Sequence, residues 1–156
     1  MTVLELSPKA SMSQLLLKDT FHGFSFIEGE VTTFNKFHID GQLKKEFFDD
    51  APSRQYSYWK DVQEYFFSVI RGKRTPLSFK LILSLAKEGF PAFLEGCGLS
   101  YRPEEIQGLY LNFRYDGKSL QCVTGTSMHT FTMEKGLEQE WDKYVKQFFA
   151  QQIILD

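Results

Sequence analysis

The sequence predicts an α+β fold in which amphipathic helices pack on one face of an antiparallel sheet. Three observations predict it. Apolar residues alternate with polar ones over residues 79–85, which is the period of a strand with one buried face. Apolar residues recur at helical spacing over residues 57–72 and 137–149. Asp116-Gly117 has the residue types that a tight hairpin turn requires.

The composition indicates one globular domain over residues 1–156. The chain is 42% hydrophobic and 24% charged, and its sixteen phenylalanines supply enough apolar area for a core without disulfides or metals. The net charge of −2 disfavours a generally basic protein that coats DNA. With two cysteines, no signal-peptide pattern and no apolar run of about 20 residues, a cytoplasmic protein without a membrane partner is expected.

The elements follow the order strand, helix, strands, helix, and this order occurs twice. Ser11 and Gln14 have the spacing of a capping box, which would start the first helix. Residues 24–41 form two strands with a bend or bulge at Gly29. The other elements are strands over 2–6, 44–48 and 79–85, and helices over 57–72, 88–97 and 137–149. Halves 1–74 and 75–156 would then be two strand-helix-strands repeats, with coincidence as the alternative.

The hairpin around Asp116-Gly117 fixes the predicted interior most closely. A two-residue turn pairs residue 113 with 120 and residue 111 with 122. A second tight turn at Thr126-Ser127 would add a third strand, with Phe131 opposite Cys122. The first pairing places one set of side chains on the apolar face: Leu109, Leu111, Phe113, Leu120 and Cys122.

Three stretches of the chain resemble a bacterial family of small proteins of unknown function. They are Thr33-Phe-Asn-Lys-Phe-His-Ile-Asp-Gly41, Gly72-Lys-Arg-Thr-Pro-Leu-Ser-Phe79, and Arg114-Tyr-Asp-Gly117 through Thr124-Gly-Thr-Ser127 to Trp141-Asp142. The resemblance covers nearly the whole chain. It implies no activity, substrate or cofactor.

Residues 109–133 are also similar to the strand-turn-strand segment of DNA sliding clamps, which repeat the same element order. This resemblance implies a clamp-like fold in which helices 9–18 and 88–97 face DNA. The second helix departs from the clamp pattern, because Glu88 and Glu95 would repel phosphates. The fold can carry over without the DNA-binding role.

Four side chains form two candidate catalytic pairs. His38 and Asp40 share one face of a strand, where Asp40 could orient His38 as a general base. The alternative is a solvated strand end with a turn at Asp40-Gly41. Cys122 and His129 would be diagonal neighbours across the second hairpin and could form a thiolate nucleophile. The alternative is an inert buried thiol.

The most basic stretch of the chain contains Arg71, Lys73 and Arg74. Three cations around a glycine predict a site for a phosphate or an acidic partner. The alternative is that they complement the dipole at the end of the preceding helix. The sequence has no metal-ligand spacing and no phosphate-binding loop, so neither a metal nor a cofactor is expected.

The leading hypothesis is a non-catalytic binding or interaction protein whose partner is another protein or a second copy. Mixed surface charge and tyrosines off the predicted apolar faces favour it, and no reactive motif opposes it. The first alternative is a nucleic-acid-associated protein of clamp-like fold, which would bind through the basic residues Arg71, Lys73, Arg74, Lys9 and Lys18. The second is an enzyme of unknown class that uses one of the two candidate pairs.

Overall fold

A computed structural model of the chain describes residues 1–70, 75–132, 135–152 and 154–155. The described strands are β1 (Val3–Leu6), β2 (Phe24–Thr32), β3 (Lys36–Asp40), β4 (Ser57–Tyr58), β5 (Ser78–Leu85), β6 (Ile106–Tyr115) and β7 (Leu120–Met128). The described helices are α1 (Pro8–Leu16), α2 (Trp59–Ile70), α3 (Phe90–Cys97) and α4 (Gly136–Gln151).

The seven strands form one antiparallel sheet in the order β1-β7-β6-β5-β2-β3. The short strand β4 pairs with the beginning of β2, and β3 pairs with the rest of β2 along the same side. β1 and β3 therefore lie at the two edges of the sheet. The predicted α+β fold with helices packed against an antiparallel sheet is confirmed.

The core is one continuous cluster between the helices and one face of the sheet. Two buried tryptophans tie helices to neighbouring elements through their indole nitrogens. Trp59 Nε1 donates to the carbonyl oxygen of Leu15 at 3.0 Å, and Trp141 Nε1 donates to that of Tyr110 at 3.0 Å. Phe21, which is fully buried, makes edge-to-face contacts with four other phenylalanine rings: Phe24, Phe113, Phe148 and Phe149.

The β6–β7 hairpin differs in register from the prediction but keeps the predicted faces. Tyr115 pairs with Leu120 and Phe113 with Cys122, so the loop has four residues, 116–119, and not two. The Asp116 carboxylate closes this wider loop by accepting hydrogen bonds from the backbone N–H groups of Lys118 and Ser119. Because side chains alternate with a period of two, a shift by two residues leaves every side chain on its predicted face.

The predicted second hairpin at Thr126-Ser127 is wrong. β7 continues through both residues to Met128, which pairs with Ile106 of β6. The other side of β7 is occupied by β1, where Leu4 lies opposite Cys122. A strand from the start of the chain thus takes the position that the prediction gave to Phe131, which is 90% exposed.

Three other local predictions are corrected. α1 begins at Pro8, because proline suits the first position of a helix and its missing N–H costs nothing there, so Ser11 lies inside the helix. Lys45–Phe47 forms a 3₁₀ turn where a strand was predicted. Ser57, at which the predicted helix over 57–72 begins, belongs to β4, and α2 begins at Trp59.

The irregularity in β2 lies between Phe26 and Glu28, two residues before the predicted bend at Gly29. Gly29 pairs regularly with strands on both sides, and its lack of a side chain is explained by packing. A Cβ atom there would lie 2.6 Å from Cζ of Phe66 in α2.

Both halves of the chain follow the order strand, helix, strands, helix, with three strands before the last helix in the first half and two in the second. The first strand of the first half, β1, pairs with β7, whereas the first strand of the second half, β5, pairs with both β2 and β6. That the halves form a structural repeat stays a prediction. Among the described residues, the longest apolar helical stretches fall short of what crossing a bilayer requires.

The close backbone approach at Gly41 yields a test of how β3 is held. A Cβ atom on Gly41 would lie 2.0 Å from the carbonyl oxygen of Phe26, which is backbone and cannot rotate away. We expect Gly41→Ala to lower the free energy of unfolding by about 3 kcal/mol, measured by chemical denaturation. Gly96→Ala is the control, because no atom lies within 4 Å of its Cβ position on α3. It should gain about 0.5–1 kcal/mol, and equal stabilities for the two variants would contradict the packing argument.

Candidate functional site

The candidate site is the free edge of β3, where the sequence placed His38 and Asp40. In an antiparallel pair, residues that exchange backbone hydrogen bonds alternate with residues whose N–H and C=O groups point the other way. Thr33 N donates to Asn35 O and Gly41 N donates to Ile27 O, each at 2.9 Å. Odd-numbered residues of β3 therefore bond to β2.

The even-numbered residues of β3 point their backbone groups outward. These are the N–H and C=O groups of Lys36, His38 and Asp40, which we call the β3 edge. Within the described part of the chain, β2 is the sole strand that pairs with β3. The side chains of these three residues share the face of the sheet that carries no helix, because Phe37 lies opposite the buried Val31 on the other face.

His38 and Asp40 share a face, as predicted, but their contacts go to different partners. His38 Nε2 lies 3.4 Å from Oε2 of Glu28. Asp40 accepts a hydrogen bond from the backbone N–H of Gln42 at 2.9 Å and one from Lys44 Nζ at 3.0 Å. The bond from Gln42, followed by that from Lys44, lowers the pKa of Asp40, so this carboxylate stays ionised. Neither of its oxygens is engaged in orienting the His38 ring.

The structure does not bring Cys122 and His129 together. Cys122 is fully buried, between Phe113 on β6 and Leu4 on β1, and this burial raises the pKa of its thiol. His129 is exposed just after the end of β7. Because the chain stays extended from Cys122 to Met128, the two residues are separated by roughly 20 Å.

The predicted basic site, Arg71, Lys73 and Arg74, lies outside the described residues. It stays a prediction, as does the nucleic-acid hypothesis that depends on it.

A second group of polar residues lies on the helix-free face. Lys80 of β5 and Arg114 of β6 are directly opposite in register, and both border a groove of about 490 Å³. Alternation in the sequence places Arg114 on the face opposite the apolar residues. The sequence did not predict that Arg114 pairs with Lys80, because no local pattern indicates which residue of another strand lies beside it.

Tyrosines line the other end of the helix-free face. Tyr110 lies over Gly108, since a Cβ on that glycine would be 2.2 Å from the tyrosine Cζ. Tyr58 donates to Glu88 at 2.6 Å, and this bond raises the pKa of its hydroxyl. The Arg54 guanidinium lies 4.1 Å above the Tyr58 ring. These contacts hold the rings of Tyr58 and Tyr110 against the protein, so these two tyrosines are less available to a partner than the sequence suggested, whereas Tyr65 on α2 is 56% exposed.

The comparison with protein families covers most of the chain. The profile of a family of unknown function, DUF5721, matches residues 14–155. The chain belongs to DUF5721. This confirms the predicted resemblance to a family of unknown function, and the resemblance to sliding clamps stays a prediction. Comparisons with curated proteins and with solved structures give no match.

No metal centre is found in the described residues of this DUF5721 protein, since they contain no group of three or more His, Cys, Asp or Glu side chains placed to hold an ion. The groups with reactive chemistry are dispersed over the fold. The described residues instead bring together charged side chains and, at the β3 edge, backbone N–H and C=O groups that point outward. Such groups are suited to binding.

The burial of Cys122 predicts the reactivity of the cysteine candidate. In a Cys97→Ser variant, we expect native Cys122 to react with a thiol reagent roughly 100-fold more slowly than in denaturant, because the thiol is buried and little ionised. Cys97, which is partly exposed, should react faster in a Cys122→Ala variant. Rapid labelling of native Cys122 would instead revive the nucleophile hypothesis.

Proposed function

We propose that this DUF5721 protein is a non-catalytic interaction protein that self-associates through the β3 edge. The observation that carries the proposal is the row of outward backbone groups on Lys36, His38 and Asp40. An open strand edge is a template for pairing with another chain, and proteins commonly shield such edges when no pairing is intended. β-strand addition is a common mode of protein recognition.

The backbone favours one antiparallel register between two copies. A two-fold axis at His38 places Lys36 opposite Asp40 of the partner subunit, and His38 opposite His38 of the partner subunit. In this register, each residue whose backbone N–H and C=O groups point away from β2 lies opposite a residue of the partner subunit with the same orientation. Six N–H···O=C hydrogen bonds can then form, two for each opposed pair.

The side chains are self-complementary in the same register. Lys36 and Asp40 of the partner subunit carry opposite charges and would lie side by side, once on each side of the axis. In the single chain these groups pair locally, Lys36 with Glu30 at 3.5 Å and Asp40 with Lys44 at 3.0 Å. Because both local pairs are solvent-exposed and weak, exchanging them for pairs across the interface costs little.

Apolar groups add to this surface on the other face of the strand. Phe37 would lie opposite Ile39 of the partner subunit. Phe34, at the turn before β3, is 86% exposed and contacts the Phe37 ring edge-to-face at 5.7 Å. The interface is small, so we expect a Kd of about 0.1 mM.

The backbone part of the proposal is tested with proline. His38→Pro removes an N–H that points outward and leaves the bonds to β2 intact, because proline is tolerated where an edge strand faces solvent. We expect it to raise the dimer Kd about 30-fold, since two interchain hydrogen bonds are lost. His38→Ala is the matched control and should associate more like the parent chain. Sedimentation equilibrium between about 20 and 500 µM brackets the expected Kd; a parent chain that stays monomeric there would overturn the proposal.

The register is tested by exchanging charges. Lys36→Asp and Asp40→Lys should each raise the Kd about tenfold, because each places like charges side by side. An equimolar mixture of the two variants should associate again, since both opposed pairs are then complementary. Lys9→Asp, on α1, is the charge control. If the mixture associates no better than either variant alone, the two-fold axis does not lie at His38.

A further inference from the structure

We infer that the helix-free face carries a binding site for a phosphate monoester, centred on Lys80 and Arg114. The inference goes beyond self-association, and its two central residues, Lys80 and Arg114, lie outside the β3 edge. Lys80 and Arg114 lie directly opposite each other on adjacent strands, and both side chains are exposed. Like charges in this position destabilise a sheet. Among the described residues, neither cation has an ion pair or a side-chain hydrogen bond.

Hydroxyl groups lie beside the two cations. Ser78 is two residues from Lys80 on the same face of β5, and Thr32 lies opposite Ser78 on β2. All four residues line the groove of about 490 Å³. Within the described ranges, the hydroxyls of Thr32 and Ser78 have no hydrogen-bond partner, so both can donate to a ligand oxygen.

The acidic residues at this groove are already engaged. Glu30 lies opposite Lys80 in register, and in the single chain its Oε2 pairs with Lys36 Nζ at 3.5 Å. Asp116 accepts hydrogen bonds from the backbone of Ser119 and Lys118, and these bonds lower its pKa and hold its charge within the turn. Three cations and two carboxylates therefore border the groove, and Lys80 and Arg114 have no charged partner among the described residues.

The arrangement favours a dianion with several oxygens. Two adjacent cations are neutralised together by one doubly charged group, and the planar fork of arginine matches the oxygens of phosphate. A phosphate monoester is mostly dianionic above its second pKa of about 6. A single carboxylate or sulfate ester carries one charge and would leave the pair half neutralised.

The test compares two ligands of the same shape at pH 8 and constant ionic strength. Methyl phosphate is dianionic under these conditions and methyl sulfate is monoanionic. We expect methyl phosphate to give saturable amide shifts in NMR spectra at Ser78, Lys80 and Arg114, with at least about fivefold weaker binding of methyl sulfate. Equal binding of the two ligands, or no saturation by methyl phosphate, would overturn the inference.

Variants locate the site. Arg114→Gln should weaken methyl phosphate binding about tenfold, while Lys146→Gln, an equal loss of charge on an exposed position of α4, should leave it unchanged. Without ligand, Arg114→Gln should unfold at the same or a higher temperature, because a like-charge pair is removed. A lowered unfolding temperature with unchanged binding would make the pair structural and overturn the inference.

Two further experiments separate this site from self-association and from nucleic-acid binding. The experiment is repeated in the His38→Pro variant, where binding should persist, so failure of self-association and failure of this site remain distinguishable. A single-stranded oligonucleotide that shifts the same amides while methyl phosphate does not would assign the surface to nucleic acid and overturn the small-ligand inference.

Discussion

Burial of apolar side chains against one face of the sheet is the interaction on which the rest of the structure depends. The helices contribute to one core cluster with that face. The two indole hydrogen bonds fix where they sit, since Trp59 reaches the end of α1 and Trp141 reaches the backbone of β6. Each bond satisfies a polar group that would otherwise be buried without a partner.

Among the described residues, this one-sided arrangement leaves the other face of the sheet without a helix and the outer edge of β3 without a neighbouring strand. Side chains that alternate with the core residues must face away from the helices, and they include Lys80, Arg114 and the polar residues of β3. Gly41 holds β3 against the beginning of β2 by a close backbone contact, and β4 continues the sheet beside it. β3 is therefore held in place along β2, and no other described strand pairs with its outer edge.

The predictions from local sequence succeeded where the alternation of residues along a strand decides which side chains are buried. Leu109, Leu111, Phe113, Leu120 and Cys122 are all buried, although the hairpin register is off by two residues. The prediction failed where distant segments compete for the same position. β1 occupies the side of β7 that the prediction assigned to residues after Ser127. No pattern near residue 127 indicates that a strand from the start of the chain pairs there.

The sequence by itself determined the fold class, most elements and the inward side of β5 and of the β6–β7 hairpin, because these depend on spacing over a few residues. It also placed His38 and Asp40 on one face of a strand. Only the tertiary structure decided that β3 lies at an edge, that Cys122 and His129 are far apart, and that Lys80 lies beside Arg114. Those facts depend on which strands become neighbours, and strand order is set by the packing of the whole chain against one core.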